Sequence, residues 1–150
     1  MACHTWVHGI VAISMLLSSS LHAAEYLKPP PDHVGGNRSP GVVTTGGKTV
    51  YLSGHGGDTD AAGKAVAGAE AQARRTFEAL DATLKRAGGS LANMAMMTIM
   101  IRDNNDRATV QKVRDEMFRD GNYPATTFLF QTGLPRPTVL VYINGIAVIE

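Results

Sequence analysis

Cysteine is almost missing from this chain. The single thiol, Cys3, lies among the first 24 residues. That excludes a disulfide framework and any cysteine-rich metal site, so the domain must stand on its apolar core. There is no run of lysines or arginines either. The 14 basic and 13 acidic residues leave a net charge of +1, too little for a groove that tracks a nucleic-acid backbone. Charged side chains of both signs are absent from residues 1–24, MACHTWVHGIVAISMLLSSSLHAA. The apolar and serine-rich run from 10 to 21 has the length of a signal-peptide core and is too short to span a bilayer. Ala23 and Ala24 supply small residues for cleavage, although His4, His8 and the amino terminus stand where lysine or arginine is usual. Residues 1–24 are therefore predicted to be a signal peptide, and the rest a periplasmic or secreted protein. Cys3 would leave with the leader, and nothing would then tie the chain to a membrane.

A complete nucleotide-binding loop is absent as well. Residues 41–49, GVVTTGGKT, end like one, but the P-loop spacing puts its first glycine at position 42, which is Val42. A P-loop also opens a helix, whose free N–H groups converge on phosphate. Here Lys48 is followed by TVYLSG, which is β-branched and aromatic. The stretch predicts a β-hairpin instead, with strands over 42–45 and 48–53. Gly46 and Gly47 would supply the positive φ of its two-residue turn.

Proline and glycine crowd residues 25–40, EYLKPPPDHVGGNRSP, which are predicted to form an extended arm. Residues 41–150 remain as one domain. Residues 55–67, HGGDTDAAGKAVA, read as a loop. Over 68–87, Ala69, Ala73, Phe77, Leu80, Leu84 and Ala87 recur at helical steps. Glu70 with Arg74, and Asp81 with Lys85, fall at i, i+4 on the outer side, and Gly88-Gly89 ends the helix. Residues 93–102, NMAMMTIMIR, are apolar at both parities, the pattern of an interior strand buried on both faces. A second helix is predicted over 106–119, with Val110, Val113 and Met117 inward. Strands over 126–132 and 139–149 are joined by GLPRP. The order β-β-α-β-α-β-β predicts an α+β fold with two helices on one face of a sheet. The other face is left uncovered, which favours oligomerisation.

The words that fill this order resemble the RidA/YjgF family, also called the L-PSP family. They are VYLSG at 50–54, AQAR at 71–74, RAGGSL at 86–91, ND-x-ATV at 105–110, YPA at 123–125, Leu134-Pro135 and IAV at 146–148. The resemblance runs from about residue 40 to the end. It implies a chorismate-mutase-like fold, a homotrimer, and small-molecule clefts between subunits. It also implies hydrolysis of enamines and imines to 2-keto acids and ammonia, with no cofactor and no metal. In that chemistry an arginine holds the substrate carboxylate, as a planar guanidinium does well, and polar groups including a glutamate position a water. Carried over residue by residue, the arginine after Pro-Ala falls on Thr126. The glutamate falls on Tyr142 and the asparagine after Thr-Val on Gln111. The serine before glycine is Ser53, His55 stands at the cleft rim, and the cleft tyrosine falls near Pro40. Ser53, His55, Gln111, Thr126 and Tyr142 are thus the expected ligand-binding set. With no cation at Thr126, the resemblance predicts an uncharged or differently charged ligand and no imino-acid deaminase activity. A relocated cation, Arg136, is the alternative. A structural or interaction protein with a vestigial cleft is a third reading.

Other candidates have plainer explanations. His55, Asp58 and Asp60 have metal-ligand chemistry, but aspartates in a glycine-rich loop usually shape turns. Met94, Met96, Met97 and Met100 have the thioethers that suit Cu(I), but adaptable methionines also fill a buried strand. On the strand alternation Met94, Met96 and Met100 share one face and Met97 the other. Asp115 and Glu116 beside Arg114 and Arg119 read as a solvated charged face. A ribonuclease, an activity also associated with the family, would have to pair His33 with His55.

Overall fold

A computed structural model describes residues 23–32 and 37–150. The predicted signal peptide lies outside these residues except for Ala23 and Ala24, and His33 lies outside them too. Among the described residues the elements are β1 (Ala24–Tyr26), β2 (Val42–Thr44), β3 (Lys48–Gly56), α1 (Ala69–Arg86), β4 (Met94–Ile101), α2 (Arg107–Met117), β5 (Ala125–Phe130) and β6 (Val141–Ile149). From β2 onward this is the expected α+β order. The main sheet runs β3-β6-β4-β5, with β4 and β5 parallel and the other pairs antiparallel.

Both helices cover one face of this sheet. From α1, Ala73, Phe77, Leu80 and Leu84 are fully buried, and from α2, Val110 and Val113. They meet Met97, Ile99 and Ile101 of β4 and Val141 and Ile143 of β6 in one core. Phe77 sits edge-on to Phe118, with ring centroids 6.0 Å apart. The expected surface pairs form, Arg74 with Glu70 at 2.8 Å and Lys85 with Asp81 at 2.7 Å. Gln72 is buried and fully used. Its Nε2 donates to the carbonyls of Val66 and Thr138, both at 2.9 Å, and its Oε1 accepts from the Leu140 amide at 2.8 Å.

Three expectations are corrected. The Gly46-Gly47 turn forms, with φ of 72° and 73°, but the strands flanking it do not pair. β2 pairs with β1, Ala24 opposite Thr44, while β3 pairs with β6. The reason is burial. The β1–β2 ribbon packs Ala23 and Val42 onto Ala95 and Val148, beyond the helix-covered core, which a flat hairpin would not do. The start of the arm is accordingly a strand. It is closed by the Ala23 amide donating to Glu150 Oε1 at 3.0 Å. Lastly, β4 is buried on one face only within the chain, since Met96 is 41% exposed. A register irregularity between Met94 and Met96 moves Met94 into the core beside Met97. The helix-free face carries Met96 of β4, Leu129 of β5 and Tyr51 of β3, the last 79% exposed. Phe77→Ala should lower the unfolding free energy by about 3–5 kcal/mol, seen as a lower urea midpoint.

Candidate functional site

Parallel neighbours such as β4 and β5 need a crossover, and α2 provides it. The helix runs back over β5 and shows it a polar stripe. Arg107, Gln111 and Arg114 stand at i, i+4 and i+7, the spacing of a single helix face. Thr126 and Phe128, two residues apart on β5, point the same way, because strand side chains alternate. With Asn104, Asn105 and Thr127, and with Arg38 reaching in from the arm, these groups line a cleft of about 780 Å³.

Arginines are the only charged residues of its lining. Three guanidinium groups and no carboxylate line the cleft. Arg114 is only 3% exposed, so its charge needs a partner. Asp115 provides one, its Oδ1 accepting from Nε at 2.9 Å and Nη2 at 2.6 Å. Asn37 Nδ2 donates to the other Asp115 oxygen at 3.3 Å. The Arg114 guanidinium lies 5.5 Å from the Phe128 ring centroid and that of Arg107 lies 5.7 Å from it, within cation–π range. Arg107 is exposed and makes no ion pair among the described residues. The nearby Glu116 is held by Arg74 at 2.8 Å. With Arg114 paired, the exposed Arg107 is the group in the cleft that would attract an anion.

The structure unites two of the five expected ligand residues. Gln111 and Thr126 share this cleft, and the Thr126 hydroxyl donates to the Pro124 carbonyl at 2.9 Å. Ser53 and His55 lie on β3, at the opposite edge of the sheet, three strand spacings or about 14 Å away. His55 Nδ1 donates to the Ser53 carbonyl at 2.8 Å, and Nε2 lies 3.3 Å from Thr83 Oγ1. Tyr142 sits on β6 with its ring packed over Gly54, where any Cβ would overlap it. No single copy brings all five together.

Two positions change role. Arg136 does not line the α2–β5 cleft of its own copy. Its Nε and Nη2 donate to Asp58, which also accepts from Thr138 Oγ1 at 2.6 Å. Asp60 shapes a turn, as expected, its Oδ1 accepting from the amides of Ala62 and Lys64 at 2.9 Å. Nor is Arg114 part of a solvated face. Sequence reasoning missed Arg38, Arg107 and Arg114 as cleft residues. The i, i+4, i+7 stripe through Gln111 was the signal for the two on α2.

Residues 36–149 match the family profile described as Endoribonuclease L-PSP. The chain belongs to this family. The rat 2-iminobutanoate/2-iminopropanoate deaminase is 32% identical over 102 residues, 67% of this chain and 73% of its own. Among solved structures, E. coli TdcF with bound serine is 30% identical with a TM-score of 0.64, covering 78% of this chain and 91% of TdcF. The Rid-family protein YyfB of Yersinia pestis has a TM-score of 0.73 at 18% identity, covering 85% of this chain and all of its own, which shows the fold. Set against the L-PSP pattern given above, the departures are at Gln111, Thr126 and Tyr142. The strand position matched to the carboxylate-holding arginine is Thr126, and the arginines stand around it, on α2 and the arm.

Asp58 makes stability depend on acid. The Arg136 hydrogen bonds, then that from Thr138, pull its carboxyl down to about 2 against the opposing effect of burial, where an unfolded aspartate titrates near 3.9. A depressed folded pKa stabilises above the unfolded value and is lost as pH falls towards the folded one. Thermal unfolding from about pH 5 to pH 2 should show a steeper loss in the wild type than in Asp58→Asn, with the variant less stable at neutral pH.

Proposed function

We propose that this L-PSP protein binds small carboxylates in the α2–β5 cleft, that a second copy completes the site, and that it has lost imino-acid deaminase chemistry. The observation that carries the reading is Arg107, exposed in a cleft whose lining holds no carboxylate and without an ion pair among the described residues. Arg107 is the anchor, because a guanidinium can take a carboxylate by two parallel hydrogen bonds. This replaces the expectation of an uncharged ligand, which rested on Thr126 alone. TdcF, with serine bound, and the iminobutanoate deaminases favour a ligand of amino-acid type. The loss of hydrolysis rests on Tyr142. A carboxylate in its place can take a proton from water, whereas a neutral phenol, though it can accept a hydrogen bond, is too weak a base to do so.

Assembly belongs to the same proposal. Tyr51, Met96 and Leu129 leave an apolar helix-free face, and a homotrimer through it would bring Ser53, His55 and Tyr142 of one copy towards Gln111 and Thr126 of another. Export of the chain, to the periplasm or beyond, would separate it from the cytoplasmic pyridoxal-phosphate enzymes that release imines. The second reading is a working 2-imino acid deaminase, favoured by the positive charge restored around Thr126.

With 2-oxobutanoate at about a hundredfold excess over Kd, the melting temperature should rise by roughly 5–10 °C, and Arg107→Gln should abolish the rise. No rise would sink the proposal. Hydrolysis of 2-iminobutanoate generated in place should stay at the uncatalysed rate; turnover that disappears in Arg107→Gln would establish the deaminase reading. In sedimentation velocity the wild type should run as a trimer and the double variant Tyr51→Glu, Met96→Glu as a monomer.

A further inference from the structure

We infer that a leader peptidase cuts this chain between Ser20 and Leu21, rather than after Ala24, so that Ala23 and Ala24 stay on the mature protein. The cut presupposes the export proposed above and names the bond at which the leader ends.

Ala23 and Ala24 belong to the fold. Ala23 is 5% exposed and packs with Ala95 and Val148. Both of its backbone groups are engaged. The amide donates to Glu150 Oε1 at 3.0 Å, and the carbonyl accepts from the Thr45 amide at 3.0 Å. Ala24 opens β1 and stands opposite Thr44. A cut after Ala24 would remove both residues. It would open the apolar contact over Ala95 and Val148 and take both hydrogen bonds with it. It would also set a new ammonium on Glu25, which sits between Ala24 and Tyr26 in β1 and opposite Val43. A leader is discarded, so residues built into a core and a ribbon are poor material for one.

The sequence upstream offers a better bond. Leader peptidases take small residues at the first and third positions before the cut. Ser18 and Ser20 meet that demand together. A cut after Ala23 puts Leu21 at the third position, and a cut after Ala24 puts His22 there. A cut after His22 puts histidine at the first. With the cut after Ser20, residues 10–17, IVAISMLL, form the apolar core of the leader and the serines follow it directly, the order a leader requires. The step is hydrolysis of one amide. A water oxygen bonds to the Ser20 carbonyl carbon and the C–N bond to Leu21 breaks. Ser20 leaves as a carboxylate, and both water protons end on the Leu21 nitrogen, which becomes an ammonium. Leu21 and His22 then separate the new terminus from the Ala23 amide that Glu150 receives.

The test is expression of the full chain in a bacterium, release of the periplasmic fraction by osmotic shock, and N-terminal sequencing with intact-mass measurement. The mature protein should begin at Leu21. Ser20→Leu should abolish that start, whereas Ala24→Gln, which spoils a cut after Ala24, should keep it. A wild-type start at Ala23, Ala24 or Glu25, or a Leu21 start untouched by Ser20→Leu, would overturn the inference and leave export standing. A chain found only unprocessed in the cytoplasm would overturn the two together.

Discussion

The parallel pairing of β4 with β5 is the constraint on which the rest of this molecule depends. Two parallel neighbours cannot be joined by a tight turn, so the chain must leave the sheet and return over it. It does so as α2. A returning helix has to bury one side, and Val110 and Val113 do that against β4 and β6. The next side around then faces β5, and on it stand Arg107, Gln111 and Arg114. The groove is thus a consequence of topology. Sequence decided only that it would be lined with cations.

On the proposed carboxylate-binding reading, a site keeps its character while its residues move. In the pattern to which the chain is similar, positive charge sits on the strand. Here Thr126 occupies that point, and guanidinium groups approach from the helix and the arm. Each has a local reason for staying in place. Arg114 is buried and tied to Asp115, while Arg107 leans on Phe128. A residue-by-residue transfer of roles sees a missing arginine. A reading of the space sees Arg107 facing it from the helix.

Much of the fold was legible in the sequence, because burial leaves a periodic mark. The α1 stripe of Ala73, Phe77, Leu80 and Leu84 repeats at helical steps, and all four are fully buried. Where the sequence misled, the reason was long-range. Val42 to Thr44 look like half of a hairpin, but their partner is the arm, and only packing on Ala95 and Val148 decides it. The irregularity in β4 that turns Met94 inward has no signature in a run of methionines. The site was harder still. Gln111 and Thr126 were found through their matching positions, whereas Arg38 lies in a Pro- and Gly-rich stretch with no periodicity to mark it. Arg136 looked as free as any loop arginine until Asp58 was seen buried beneath it.

Ala23 and Glu150 are joined across 127 positions of the sequence, the amide of one on the carboxylate of the other. That bond makes the residue before β1 and the residue after β6 parts of one seam, and β2 holds β1 beside it. Loss of Ala23, or displacement of the Glu150 side chain, would therefore loosen the same place.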